Sequence, residues 1–410
     1  MKRFFLSKID THFHALKNRN FRIFWFGQLI SLIGNWMQTI ALPWLAFSIT
    51  KSPFLLGVVG ALQFTPTLLF SLFIGAVIDR FEKRKVILAA QSLMAVIALV
   101  LAVLVISGHI EYWHILIIAV LQGCANAVEM PTRQTFMIEM VGKDDLMNAI
   151  GLNSATFNTA RIIGPAVAGV VMTTIGIGFC FLINAATFIP IIAGLFFIRP
   201  LLCAIKPARS NVLSEIADGF RYIAKHGMLA RIMVIVLFVG LFIMNFNVMV
   251  PVLAKTVLHQ GEAGFGLLMS CMGIGSLFGA LGTAARSKRG PRTSMLFVTA
   301  TAAAVCFIAI SFSTVYALSA VLLAISGFAT VTFMTTANSS IQLNAHDDYR
   351  SRVISIYFFI NVGSTPLGNL LAGGISDYFG IQRSFLVFGG IVILCLAVFL
   401  FFTRKRASPA

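Results

Sequence analysis

Long apolar runs recur from one end of this 410-residue chain to the other, separated by short polar stretches. A bilayer core about 30 Å thick is crossed by roughly 20 apolar residues in a helix. Runs of that order predict spans at 23–48, 54–78, 86–107, 113–137, 149–175 and 177–198, then at 231–254, 264–285, 294–313, 316–340, 353–376 and 384–403. Runs such as Val86–Ile106 do not alternate in polarity, unlike the segments of a membrane barrel, which alternate over about ten residues. Helices are the natural form, because lipid offers no partner to an unpaired backbone group. One segment has a different pattern. In Asn211–His226 the residues Val212, Ile216, Phe220 and Ile223 recur at helical spacing among polar neighbours, which predicts an amphipathic helix lying at the membrane surface. The chain therefore divides into a basic N-terminus (1–22), a six-helix half (23–198), a linker (199–230), a second six-helix half (231–403) and a short tail (404–410).

Composition agrees with lipid as the solvent. Hydrophobic residues make up 58% of the chain, charged residues only 11%, and the mean hydropathy is +0.92; soluble domains carry about 25% charged residues. The net charge of +17 lies in short clusters between spans and never in an extended polybasic domain, so no nucleic-acid partner is expected. Of the 31 Lys and Arg residues, all but Lys51, Lys255 and Arg383 fall on one side when the N-terminus is placed in the cytoplasm. That count includes Arg133 and Arg161, which lie within spans. Such asymmetry follows the positive-inside rule and predicts twelve spans with both ends cytoplasmic. The basic N-terminus (Lys2, Arg3, Lys8, Lys17, Arg19, Arg22) leads into an uncleaved first helix, since no small-residue cleavage site follows.

Several chemistries find no motif. The six cysteines are scattered without a Cys-x-x-Cys pair, and the seven histidines lie mostly at ends and loops, so neither a disulfide framework nor a metal site is expected. No phosphate-binding G-x-x-x-x-G-K-[ST] loop is present, so neither ATP coupling nor a cofactor is expected. A membrane enzyme would need His or acidic residues clustered near one interface, and a receptor a substantial soluble domain; the chain offers neither.

The halves show traces of repetition. Lys143-Asp144-Asp145 precedes the fifth span and His346-Asp347-Asp348 the eleventh; Pro165 corresponds to Pro366, and Pro43 to Pro251. Two six-helix halves related by an axis along the membrane normal are a common transporter plan.

After the second span comes Gly75-Ala76-Val77-Ile78-Asp79-Arg80-Phe81-Glu82-Lys83-Arg84-Lys85. It resembles the G-x-x-x-D-R-x-x-(R/K)-(R/K) signature of the major facilitator superfamily, with Glu82 where many members have Gly. The resemblance implies a cytoplasmic gating latch, in which Asp79 meets the start of the eleventh helix and the cations (Arg80, Lys83, Arg84) pair with acids ending the fourth, such as Glu139. Further stretches are similar to one branch of that superfamily, which includes the enterobactin exporter and related drug exporters. These are Glu129-Met130-Pro131-Thr132-Arg133-Gln134, Asn158 to Gly169, Tyr349 to Val353 and Phe265 to Gly275. Within them, Gly164, Pro165 and Gly169 resemble a fifth-helix motif associated with antiporters and exporters. The implied fold is all-α, with two pseudo-symmetric six-helix bundles.

Charges inside lipid are costly and default to functional candidates. Glu129 is the one carboxylate well within a predicted span, and Arg133 follows on the same helical face. Glu129 lies 15 residues before Asp144 and Arg161 lies 17 after it, so at about 1.5 Å per residue the two share a depth on adjacent helices. An Arg161–Glu129 contact is expected, with Arg133 nearby. Two roles stay open for this cluster: proton coupling, or a permanent ion pair between helices. Asn35, Gln38, Asn158, Asn245, Asn247 and Asn361 are candidate cavity residues.

These readings describe a monomeric secondary transporter, and the resemblance alone implies the bacterial inner membrane. It is expected to exchange protons for amphipathic small molecules such as drugs or siderophores, by alternating access. An importer, or a lipid or lysolipid flippase of the same fold, is the alternative. Tags inserted at positions 109 and 259 are expected to react with membrane-impermeant reagents added outside intact cells, whereas tags at either chain end stay protected. Labelling of all four from one side would refute the topology.

Overall fold

In a computed structural model of the chain, residues 13–70, 78, 81–142, 144–198, 212–286 and 293–407 are described, except the side chains at 212–216, 293, 347, 348, 351 and 400–407. Among the described residues all regular structure is helical. The helices are α1 (Arg19–Thr50), α2 (Pro53–Phe70), α3 (Lys83–Ile106), α4 (Tyr112–Val141), α5 (Leu146–Thr174), α6 (Ile177–Phe197), α7 (Val212–Lys225), α8 (Gly227–Phe242), α9 (Phe246–Thr256), α10 (Glu262–Ala285), α11 (Thr293–Phe312), α12 (Tyr316–Asn344), α13 (Asp347–Phe379) and α14 (Ile381–Ala407). Among the described residues, twelve spans are long and apolar enough to cross a membrane, with α8 and α9 together forming the seventh.

The chain separates into two compact units, one of Met1–Leu42 and Leu69–Ser210, the other of Pro43–Leu68 and Asn211–Ala410. This differs from a division at the linker alone, because Pro43–Leu68 groups with the second unit. Missing side chains explain the grouping. A Cβ at Gly57 would stand 2.5 Å from the Asn369 carbonyl oxygen, one at Gly373 would stand 2.5 Å from that of Pro53, and one at Gly60 would meet the Asn369 amide at 2.7 Å. Only glycine lets α2 and α13 come so near.

In the first unit, α1 starts earlier than hydropathy suggests. Asn18 accepts the backbone N–H groups of Asn20 (2.9 Å) and Phe21 (3.3 Å), which caps the helix. Its amide also donates to the Met140 carbonyl (2.5 Å), and the Ala15 N–H to Asn148 Oδ1 (3.0 Å). The segment ahead of α1 is thereby tied to the α4–α5 connection. Phe24 meets Phe136 edge-on at 5.7 Å within a core that also holds Ile87, Met94, Leu152 and Phe188.

In the second unit, the seventh span is not the continuous helix expected over 231–254. It breaks between α8 and α9, where the N–H groups of Ile243 and Met244 both reach the Val239 carbonyl (2.8 and 3.2 Å). The Asn245 side chain donates to the Leu241 carbonyl at 2.6 Å, competing with the backbone ladder. Gly368 of α13 faces the break, where a Cβ would stand 2.6 Å from Leu241 O.

The linker helix α7 forms where the amphipathic pattern placed it, but part of it docks on protein. Gly219 and Ile223 are buried, and Tyr222 stacks on Tyr349 at 4.4 Å while its hydroxyl accepts the His346 N–H (3.1 Å). Asp218 lies 3.7 Å from the Arg352 guanidinium. Periodicity had defined a face without showing what covers it. Here α13 covers part, while Phe220 stays 44% exposed.

The tightest crossing joins α10 and α12. Gly275 and Gly279 lie one turn apart on α10, and a Cβ at Gly275 would collide with the Ala324 carbonyl; at Gly279 it would stand 2.6 Å from that of Phe328. A Cβ at Gly282 would meet only the Phe328 ring edge, at 3.9 Å. Gly275→Ala is expected to lower the thermal midpoint of the purified protein by several degrees, overpacking costing about 1–3 kcal/mol. Gly282→Ala should be neutral or slightly stabilising. Equal midpoints for the two variants would refute this account of the crossing.

Candidate functional site

Glu129 and Arg133 are the buried charged residues of the first unit among those described, at 6% and 8% exposure. One helical turn on α4 separates them and puts both on one face. Arg133 Nε lies 3.1 Å from Glu129 Oε1, off the line of a hydrogen bond, so charge rather than an aligned bond draws the pair together. Gln91 of α3 donates to the same carboxylate oxygen at 3.3 Å, and Arg133 donates to Asn153 Oδ1 of α5 at 3.3 Å. Three helices thus meet at one ion pair.

The expected Arg161–Glu129 contact does not form. Arg161 lies over Trp36 of α1, with its guanidinium carbon 5.7 Å from the ring centroid. Equal depth was judged from the loop at Asp144, but the Arg133–Asn153 bond sets the register. It places Glu129 level with about residue 157, one turn short of Arg161 at 1.5 Å per residue. Arg161 is also two turns beyond Asn153 and rotated away from it. Depth alone could not give that azimuth.

At the signature motif, Gly75, Asp79 and Arg80 lie outside the described residues. Lys83 pairs with Glu139 at 2.9 Å, both largely buried. Arg84 donates to the carbonyls of Leu195 (2.6 Å) and Phe196 (3.2 Å) at the end of α6, where a cation favours the helix dipole. Both cations are thus engaged inside the first unit.

In the fifth-span motif, a Cβ at Gly164 would collide with that of Trp36 and stand 3.1 Å from the Ile33 carbonyl, so glycine is what lets α1 and α5 touch. Pro165 and Gly169 are buried, and α5 runs on through the proline.

The candidate cavity residues divide. Asn35, Asn158, Asn247 and Asn361 are half-buried. Asn158 donates to the Ser154 carbonyl (2.8 Å), and Asn361 to Met334 Sδ (3.2 Å). Gln38 and Asn245 are more deeply placed: Gln38 is buried and accepts from Asn184 at 2.7 Å, and Asn245 is buried at the break. A polar residue in lipid takes a helix partner when one is in reach. Gln91, Asn153, Asn184 and Trp36 were not among the sequence candidates. A lone amide inside an apolar run was the available signal for Gln91 and Asn184.

Comparison with known proteins places this architecture. A model of the family described as transmembrane secretion effector matches residues 10–408. The chain belongs to that family of major facilitator transporters. It is 26% identical to the staphyloferrin A transporter of Staphylococcus aureus, over 94% of this chain and 96% of that protein. It is 27% identical to the multidrug efflux pump Tap of Mycolicibacterium fortuitum, over 93% and 95% respectively. Macrolide efflux protein A of Streptococcus pyogenes is 21% identical over 92% and 94%. Among solved structures, the nucleoside transporter NupG shares the fold with a TM-score of 0.77 at 11% identity, over 94% of this chain and 99% of that one. A bacterial homologue of the lysosomal transporter Spinster does so with a TM-score of 0.75 at 12% identity, covering 96% and 98%. The chain is a multi-pass membrane transporter of small molecules and not an enzyme.

Removing one partner of the buried pair leaves an uncompensated charge, at a cost of about 3 kcal/mol or more. Arg133→Leu is therefore expected to destabilise the detergent-solubilised transporter strongly in thermal unfolding, and Glu129→Gln combined with Arg133→Leu to recover much of the loss. Purely additive effects would show that the two side chains do not interact.

Proposed function

We propose that this transporter is a proton-coupled exporter of amphipathic small molecules, working as a monomer in the bacterial inner membrane with both termini in the cytoplasm. The observation that supports it is the carboxylate of Glu129, buried in α4 and held by Arg133 and Gln91. A buried acid beside a single cation is a group whose charge depends on where that cation is. With Arg133 adjacent, the opposite charges of the two side chains offset each other. When a rearrangement parts them, the carboxylate is left dry and uncompensated, and it takes up a proton instead. Asn153 ties Arg133 to α5, so a shift of α5 against α4 would move the arginine and release the acid.

Alternating access rocks the halves about a midplane site in this transporter plan; because α4 and α5 lie in the same half, release of the acid also requires α5 to slide within that half. Gly164 leaves α5 in close contact with α1 without an intervening side chain, a surface along which two helices can slide. The export direction draws support from relatives named for multidrug efflux and macrolide efflux. The cytoplasmic termini rest on the skewed distribution of Lys and Arg.

In everted vesicles, an imposed proton gradient is expected to drive uphill uptake of a fluorescent amphiphile. Glu129→Gln should cut gradient-driven accumulation at least about tenfold, as befits loss of an essential proton carrier, while downhill exchange continues. Uphill transport by Glu129→Gln at the wild-type rate would leave the Glu129–Arg133 pair a structural one.

A further inference from the structure

Arg161 stands near the middle of α5, in the interior of a span. A cation there is costly unless it faces the protein or a watery cavity. Gly164, one turn further on, brings α5 against α1, and that approach sets the guanidinium carbon 5.7 Å above the centre of Trp36. Phe157 meets the same indole edge-on at 5.5 Å, so the arginine sits beside an aromatic pair.

Charge in this region does not balance among the described residues. Glu129, the buried acid, is held by Arg133 and Gln91, and no described carboxylate pairs with Arg161. The indole offsets part of the cost through its negative face. The cation–π contact, however, uses none of the hydrogen-bonding capacity of a guanidinium. Its five N–H donors point outward in the plane, a fork suited to a carboxylate or phosphate. Arg161 is half-buried, and no hydrogen-bond acceptor for those donors is found among the described residues. Asn158, on the same face of α5, has its amide committed to Ser154 and does not compete.

We propose that Arg161, oriented by Trp36, receives the anionic group of an amphipathic substrate, whose apolar body lies along the Trp36–Phe157 pair. The inference rests on the exporter reading and narrows its cargo to molecules carrying a negative charge. The same chemistry is offered by a soluble aromatic acid and by the headgroup of an anionic lipid. A cationic amphiphile would meet repulsion here.

The test compares binding of 2-naphthoate and its cationic counterpart 2-naphthylmethylamine to the full-length protein in phosphatidylcholine nanodiscs. Wild type is expected to prefer naphthoate by at least about tenfold, the order of a charge-assisted forked hydrogen bond. Arg161→Gln should abolish the preference, and Arg161→Lys should keep part of it. Exchanging the lipid for phosphatidylglycerol then identifies the source. Suppressed naphthoate binding assigns the site to a lipid headgroup, unchanged binding to a soluble acid, and either agrees with the proposal.

Equal affinity of wild type and Arg161→Gln for naphthoate would overturn it. So would equal loss of preference in Arg161→Lys and Arg161→Gln when both also melt earlier, since the stack would then be structural. Gradient-driven uptake of two fluorescent amphiphiles, one neutral and one anionic, measured alongside, separates the two levels of inference. Uptake without any naphthoate preference in wild type defeats the anion site and leaves export standing. Naphthoate preference without uptake defeats the exporter reading alone and upholds the site.

Discussion

Helices surrounded by lipid gain little by hiding leucine from a solvent that is itself apolar, so contact between their backbones must do the holding. The transporter meets this constraint with glycine. Gly57 and Gly373 join α2 to α13, Gly275 and Gly279 join α10 to α12, and Gly164 joins α5 to α1. At each crossing a single added methyl would fall on a neighbouring backbone or on the root of a side chain. Polar groups then pair between the closely spaced helices, as Gln38 does with Asn184 and Gln91 with Glu129. Close approach comes first, and short hydrogen bonds across helices depend on it.

The same constraint gives the charged cluster its character. Water is not at hand to share the charge of Glu129, so three helices contribute a side chain to it or to its partner. A charged pair at such a junction is sensitive to the relative position of those helices. Arg161, one turn out of register, is left to the indole of Trp36.

Much of the fold was legible in the sequence, because length and hydropathy are what a bilayer selects. The twelve spans and the amphipathic α7 could be read from periodicity alone. The features that escaped have a common cause. Hydropathy averages over a window, so it passed over the break at Asn245. Counting residues from a loop gives depth but not rotation, so Arg161 was set against Glu129 instead of Trp36. The grouping of Pro43–Leu68 with the second unit depends on glycines in α2 and α13 that are far apart in the chain. Of the charged positions, Lys83 and Glu139 do meet, because a cation and an acid at the ends of neighbouring antiparallel helices are within reach by geometry.

The interruption of the seventh span makes the two halves unlike in stiffness. α1 carries Pro43 and remains one unbroken rod of 32 residues. Its counterpart is two shorter rods, of 16 and 11 residues, joined at Asn245. A jointed strut can swivel one segment while the other stays seated, and a continuous one must tilt as a whole. That joint distinguishes the two halves, however closely they resemble each other in plan.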